Sequence, residues 1–259
     1  MVLRWFNRRR LVVAACVGVG LLAMPAAPVE SQSVPIPSAQ QVIARSVEAI
    51  GGEAAFKSVR SVHAVGTLAI PAQGISGRIE LFSARPGKLV YRLTIPGIGQ
   101  IENGYNGTVG WALSPISGPE LLTGRQLQET ADDAWFDGPL HEADRVRSMD
   151  VLGQAEFDGH QAYKLKVVLR SGTEAVEYFD ITSGLELGTE SSRMVPQGVV
   201  PTTNFTRNYR KIGAVMQPMT VVQRALGIEQ VVTIDTVEYN TVPASAFDLP
   251  VEVKALISK

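Results

Sequence analysis

The sequence predicts a mainly β protein: an incomplete antiparallel β-barrel of about eleven strands, covered by a few helices. Three observations carry that expectation. Apolar residues recur at period two, most clearly over 88–95, where Leu89, Tyr91, Leu93 and Ile95 fall on one side, and over 161–170, where Tyr163, Leu165, Val167 and Leu169 alternate with Lys164, Lys166 and Arg170. Turn signals cut the chain at short intervals: Arg85-Pro86-Gly87, Pro96-Gly97, Asn106-Gly107, Asp158-Gly159 and Ser183-Gly184. Helical spacing is confined to the start of the chain and one mid-chain stretch. A sheet of that many strands curls as twist accumulates, and a curled sheet under helices encloses a cavity.

Residues 1–27 have the anatomy of a secretory signal: Arg4, Arg8, Arg9 and Arg10, then the apolar run LVVAACVGVGLLAM, then the small residues Ala26 and Ala27. The run is short of the roughly 20 residues a membrane span needs, so cleavage is expected over an uncleaved anchor. Val13-Ala14-Ala15-Cys16 resembles a lipoprotein processing box, but only five apolar residues precede the cysteine. The arginine pair before the run weakly suggests twin-arginine export. Residues 28–37 read as a linker, and 38–259 as a single half-barrel domain.

Within that domain, Ser38 is placed to cap a helix over 39–50, with Val42, Ile43, Val47 and Ile50 on one face. Gly51-Gly52 stops it, and a short helix follows over 53–59. Strands are expected at 61–70, 76–84, 88–95, 99–104 and 109–114. Leu127, Ala131, Ala134 and Trp135 predict a helix over 121–134, and the charged stretch 141–149 predicts another. Strands resume at 150–157, 161–170, 174–181, 185–193, 203–210, 216–225 and 228–239.

Composition limits the chemistry. Without residues 1–27 the chain holds 20 basic against 25 acidic residues, which argues against nucleic acid as a partner. Cys16 is the only cysteine, so a mature chain has no thiolate nucleophile, no disulfide and no cysteine-ligated metal. There is no Gly-x-Ser-x-Gly elbow and no His-Glu-x-x-His. His141-Glu142 with Asp144, and Asp132-Asp133 with Asp137, are the nearest approaches to metal clusters, and both read better as solvated charged faces. No pair of carboxylates stands out for glycosidase chemistry. We expect no catalytic residue, no metal and no cofactor. Leu89, Tyr91, Leu93, Tyr105, Trp111, Trp135 and Phe136 are candidates for a cavity wall, or equally for ordinary core. Arg85, at a strand end, is either a turn arginine in water or a donor to carbonyls of a covering element.

Several segments resemble, in order, the lipoprotein-carrier family of periplasmic LolA/LolB-like proteins. They are Ser61-Val62-His63-Ala64; GRIELFSARP from Gly77 to Pro86, with Ala84 where a second basic residue often sits; Asn106-Gly107-Thr108-Val109-Gly110-Trp111, with Asn for the family's Asp; Phe179-Asp180 through Gly184-Leu185; and Ala246-Phe247-Asp248-Leu249-Pro250. The chain is longer than the typical carrier, and Asn208-Tyr209-Arg210 and Met216-Gln217-Pro218 look more like the broader outer membrane lipoprotein-sorting relatives. The resemblance implies a helical lid, an apolar cavity for lipid or lipoprotein acyl chains, a periplasmic or envelope location and no enzymatic activity. It implies that Arg85 hydrogen-bonds to the lid. It also leaves room for a lipid-sensing subunit that binds an envelope protein, such as a protease or signalling partner.

Overall fold

The computed structural model describes residues 35–195 and 198–257. The expected signal at 1–27 and most of the linker lie outside the described residues. From Ile36 onward the chain forms one compact unit.

Helix α1 (Ala39–Ala49) starts with a capping box: the Gln41 amide donates to the Ser38 hydroxyl, and the Ser38 amide donates to the Gln41 side chain. It buries Ala39, Val42, Ile43 and Ser46. Helix α2 (Glu53–Ser58) buries Phe56. Six strands follow: β1 (Ser61–Ile70), β2 (Ile75–Ala84), β3 (Lys88–Ile95), β4 (Gly99–Tyr105), β5 (Gly110–Ser114) and β6 (Gly118–Leu121). Helix α3 (Gly124–Asp133) and a single 3-10 turn (Gly138–Leu140) cross to the second half. There β7 (Val146–Phe157), β8 (His160–Leu169), β9 (Glu174–Asp180), β10 (Glu186–Val195) and β11 (Gly198–Arg207) precede a two-stranded ribbon, β12 (Arg210–Ile212) and β13 (Val215–Gln217). Strands β14 (Thr220–Ala225) and β15 (Ile228–Tyr239) complete the sheet, and a 3-10 turn (Ala244–Phe247) and helix α4 (Val251–Ile257) end the chain.

The main sheet has thirteen strands in the order β6-β5-β4-β3-β2-β1-β15-β14-β11-β10-β9-β8-β7, with every paired neighbour antiparallel. Two meanders are thus joined where β15 pairs with β1, and the sheet stays open between β6 and β7. One face carries α1, α2 and α3. Against it, α1 packs Val42 and Ile43 onto Val146, Leu165, Val167 and Phe179. The outer face is buried in two places. Phe157, Tyr178 and Phe205 stack there, with ring centroids 4.0 and 5.1 Å apart. Val90 and Trp111 lie under Ala246, Phe247 and Val253 of the C-terminal segment.

Four expectations need correction. The stretch 141–149 is not a helix, because strand β7 begins at Val146. Irregularities between Val146 and Ser148 and between Val151 and Gly153 put extra residues into this edge strand. Val146 and Met149 therefore reach one face at helix-like spacing while pairing with Leu169 and Val167. The stretch 216–225 is broken near Pro218, which cannot donate to a ladder, so β13 pairs with β12 and β14 with the main sheet. Strand β11 starts at Gly198 rather than 203. The short strand β6 and helix α4 were unexpected, since neither four residues nor seven give a readable period.

Candidate ligand cavity

Three adjoining cavities lie between the helices and the sheet. One, of about 230 Å³, is lined by Phe56, Val59, Val62, Leu81, Ser83, Trp135, Phe136, Pro139 and Gln217. A second, about 310 Å³, shares Trp135 and Pro139 with it and runs on to His141, Val167, Leu169, Glu177 and Glu186. A third, about 200 Å³, shares His141, Glu186, Phe56 and Gln217 with its neighbours and is closed by Ile50, Phe179 and Tyr209. A larger cleft of about 890 Å³ lies against α3 and strands β8 to β11. Its wall sets Ala175, Val176 and Val199 among Arg125, Gln128, Glu129, Lys166, Glu174 and Glu190, and the Lys166–Glu174 ion pair at 2.8 Å is half-exposed. The smaller set has the more apolar wall and carries the aromatic residues, so it is the better candidate for an apolar ligand despite its size.

Arg85 ties together the elements that roof this space. From the β2–β3 turn its Nε donates to the Val59 carbonyl at 2.8 Å and one terminal nitrogen to the Phe56 carbonyl at 3.4 Å, both at the end of α2. The other terminal nitrogen pairs with Asp137, in the loop after α3. The guanidinium also lies over the Phe136 ring, 4.8 Å from its centroid. Helix α3 is held from the other side. The buried Glu129 carboxylate accepts from the Met194 amide at 2.9 Å and from Arg125 at 2.7 Å. Asp132 accepts from the Ser171 and Thr173 hydroxyls at 2.8 and 2.6 Å, and Arg193 pairs with Asp133 at 2.7 Å.

The structure brings Arg85, Trp135 and Phe136 together at the cavity. Leu89, Tyr91 and Leu93 share the helix-covered face of β3, paired with Ser83, Leu81 and Ile79. Tyr91 keeps 37% of its surface open although surrounding protein pushes its phenol up, with Asp133 adding to the effect. It lines none of the three cavities. Tyr105 pairs with Leu89 and donates its hydroxyl to the Gly107 carbonyl at 2.9 Å, at the hairpin turn. Trp111 is on the wrong face. The four-residue turn 106–109 sets it opposite Gly104, where a Cβ would sit 2.3 Å from the indole ring. It is wholly buried beneath the C-terminal segment and donates to Glu102 at 3.0 Å.

The residues not anticipated are Phe56, Leu81 and an ionisable group of His141, Glu177 and Glu186. His141 Nε2 lies 2.7 Å from Glu177, and Nδ1 lies 3.2 Å from the Pro139 carbonyl. Both partners are acceptors, so the ring that satisfies both is the imidazolium. Burial opposes that charge, but Glu177, the carbonyl and Glu186 outweigh it, and the histidine is raised above its ordinary value. Glu186 is pushed up to about 7 by burial, then by Glu177, with His141 opposing. Among the described residues no group of three His, Cys, Asp or Glu is placed to hold a metal ion. No described helix is long and apolar enough to cross a membrane.

No protein-family model matches the sequence, and no curated protein does. Solved structures do match. A LolA superfamily protein from Nitrosomonas europaea superposes with a TM-score of 0.54 at 17% identity, over 83% of this chain and 99% of that one. A DUF1329 family protein from Desulfovibrio piger gives 0.55 at 12% identity, over 81% and 96%. An outer membrane lipoprotein-sorting protein domain from Vibrio parahaemolyticus gives 0.52 at 11%, over 85% and 98%. An open antiparallel sheet roofed on one face by helices, superposing along nearly the whole length of each of these proteins, gives this chain a LolA-like fold.

Proposed function

We propose that the protein is an exported, non-enzymatic carrier that holds a lipid or lipoprotein acyl chain between its sheet and its helices, in the periplasm or cell envelope. The observation that carries this reading is the set of adjoining cavities walled by Phe56, Val59, Val62, Leu81, Trp135 and Phe136. Together they fall within the roughly 300–1,000 Å³ typical of small-molecule sites. Burying an acyl chain there is favourable by about 0.8 kcal/mol per methylene. The LolA-like fold supports the reading, and a sorting role like the one in the name of the Vibrio parahaemolyticus domain suits it. Arg85 would hold the roof closed, and release of cargo would require its bonds to α2 and Asp137 to open.

Native mass spectrometry on protein recovered from its own envelope tests this. Acyl lipid or lipoprotein co-purifying at about one per chain is the expected result. A protein that is empty and also fails to bind the neutral apolar probe N-phenyl-1-naphthylamine would overturn it and favour a module that binds another envelope protein. In Arg85→Leu, bound probe should dissociate faster than from the wild type. Unchanged release kinetics would remove Arg85 from the mechanism.

A further inference from the structure

The walls of the three cavities carry more acid than base among the described residues. Asp132, Asp133, Glu177 and Glu186 line them with His141, and no lysine or arginine does. Most of these groups have partners: Asp132 has Ser171 and Thr173, Asp133 has Arg193, and Glu177 has His141. Glu186 does not. Its carboxyl makes no hydrogen bond among the described residues, protein atoms surround it, and the surface it keeps faces the two cavities it lines. Its main chain is fixed, with the carbonyl accepting from Thr206 at 2.6 Å and from the Tyr209 hydroxyl at 2.9 Å.

The side chain points inward because of a local irregularity. Thr189 pairs with Glu177 and Gly188 with Tyr178, yet Glu186 pairs with Phe179. The extra residue, Leu187, goes to the outer aromatic cluster, and Glu186 is turned onto the interior face beside Phe179. Gly188, at φ +150°, makes this approach feasible, since a Cβ there would lie 2.0 Å from the Asn204 carbonyl oxygen. A regular strand would have put Leu187 inside and Glu186 on the outer face.

An ionised, unpaired carboxylate in such a place is costly, and a cation or strong donor beside it removes the cost. We propose that Glu186, at the junction of the cavities, docks the head of an amine-bearing amphiphile whose apolar chain fills them. This rests on the carrier reading and deepens it, because it selects against ligands with a free carboxylate or phosphate at that end. The groups facing Glu186 are Glu177 from β9, His141 from the loop after the 3-10 turn and Tyr209 after β11. With His141 charged and paired to Glu177, an ammonium on ionised Glu186 leaves the cluster neutral. Binding then displaces the proton that Glu186 otherwise holds near neutrality, so affinity for an amine rises with pH through about 7.

The test uses the delipidated protein and three ten-carbon ligands, decylammonium, decanoate and decanol, each displacing N-phenyl-1-naphthylamine at pH 6.0 and pH 8.5. Decylammonium should bind at least about tenfold more tightly than decanoate at pH 8.5, and its advantage should shrink at pH 6.0, as an acid titrating near 7 requires. In Glu186→Gln the discrimination at pH 8.5 should fall to within about threefold, since only the counter-charge is removed. Equal affinities in the wild type, a preference for decanoate, or discrimination that survives Glu186→Gln would each overturn the proposal. The wild-type comparison stands even if the variant does not fold. If decanol binds without any preference for the amine, only this inference fails. If none of the three binds, the carrier reading fails with it.

Discussion

Glu186 and His141 make folding stability depend on pH in a defined direction. Glu186 has a folded value of about 7 against an ordinary 4.5, so the folded state holds its proton longer than the unfolded chain. Its contribution falls as pH rises from about 4.5 to 7. His141 is raised above 6.5, so its contribution is present below that value and lost as pH rises through its folded value. Both act in the same sense, and the melting temperature should fall from pH 5 to pH 8.5. Glu186→Gln should be more stable than the wild type at pH 8.5, by up to about 3 kcal/mol, and nearly equal at pH 4.5. Thermal unfolding at the two pH values checks this, and the absence of any gain at pH 8.5 would show that the carboxyl is not desolvated as described. His141 was visible in the sequence only beside Glu142 and Asp144. Its true partner, Glu177, is 36 residues away, and nothing in local spacing reveals such a pair.

At the level of elements, the roof depends on few contacts. Arg85 bonds α2 and the loop after α3 at once, and its side chain and that of Asp137 are only 22% and 16% exposed. Arg85→Leu leaves Asp137 without its partner and should cost about 2–4 kcal/mol. Amide hydrogen exchange should show the loss first in 53–58 and 134–140. Exchange rates that rise evenly over the sheet instead would mean that Arg85 supports the whole fold rather than the roof. The β10 irregularity gives a second prediction. Gly188→Ala forces a Cβ against the Asn204 carbonyl, so the variant should lose about 2 kcal/mol or more and lose the inward placement of Glu186. Its denaturant midpoint, compared with that of Gly159→Ala at a hairpin turn where a Cβ would meet nothing within 4 Å, would measure this. The same kind of irregularity misled the reading of 141–149, where extra residues in β7 imitate the spacing of a helix.

For the whole molecule, the open sheet exposes two edge strands, and each is protected differently. Strand β6 is packed by α4. Strand β7 is interrupted twice and presents Arg147, Asp150, Gln154 and Glu156 to solvent, which discourages pairing with another chain. The C-terminal segment also covers part of the outer face of β3 and β5: Val90 and Trp111 are wholly buried beneath Phe247 and Val253, where alternation had suggested a half-buried strand. Phe247→Ala should cost about 3–5 kcal/mol, read from chemical denaturation, while leaving probe binding in the interior cavities intact. Loss of binding without loss of stability would instead connect the C-terminal segment to the site.

The sequence by itself determined the class of fold, the placement of most strands and turns, the first two helices and the central helix, and the lack of recognisable catalytic motifs. These are local matters, set by side-chain period, by Gly and Pro at turns and by caps. It singled out Arg85, Trp135 and Phe136 one by one, because a strand end and a covering helix are readable separately, but their meeting at one place came from the tertiary structure. Tertiary structure alone decided which face several residues occupy. One extra residue reverses the parity of a strand, so Glu186 points inward and Leu187 outward, and a four-residue turn sends Trp111 to the side opposite Tyr105. Register between strands is a property of the pair, and no single strand's pattern contains it.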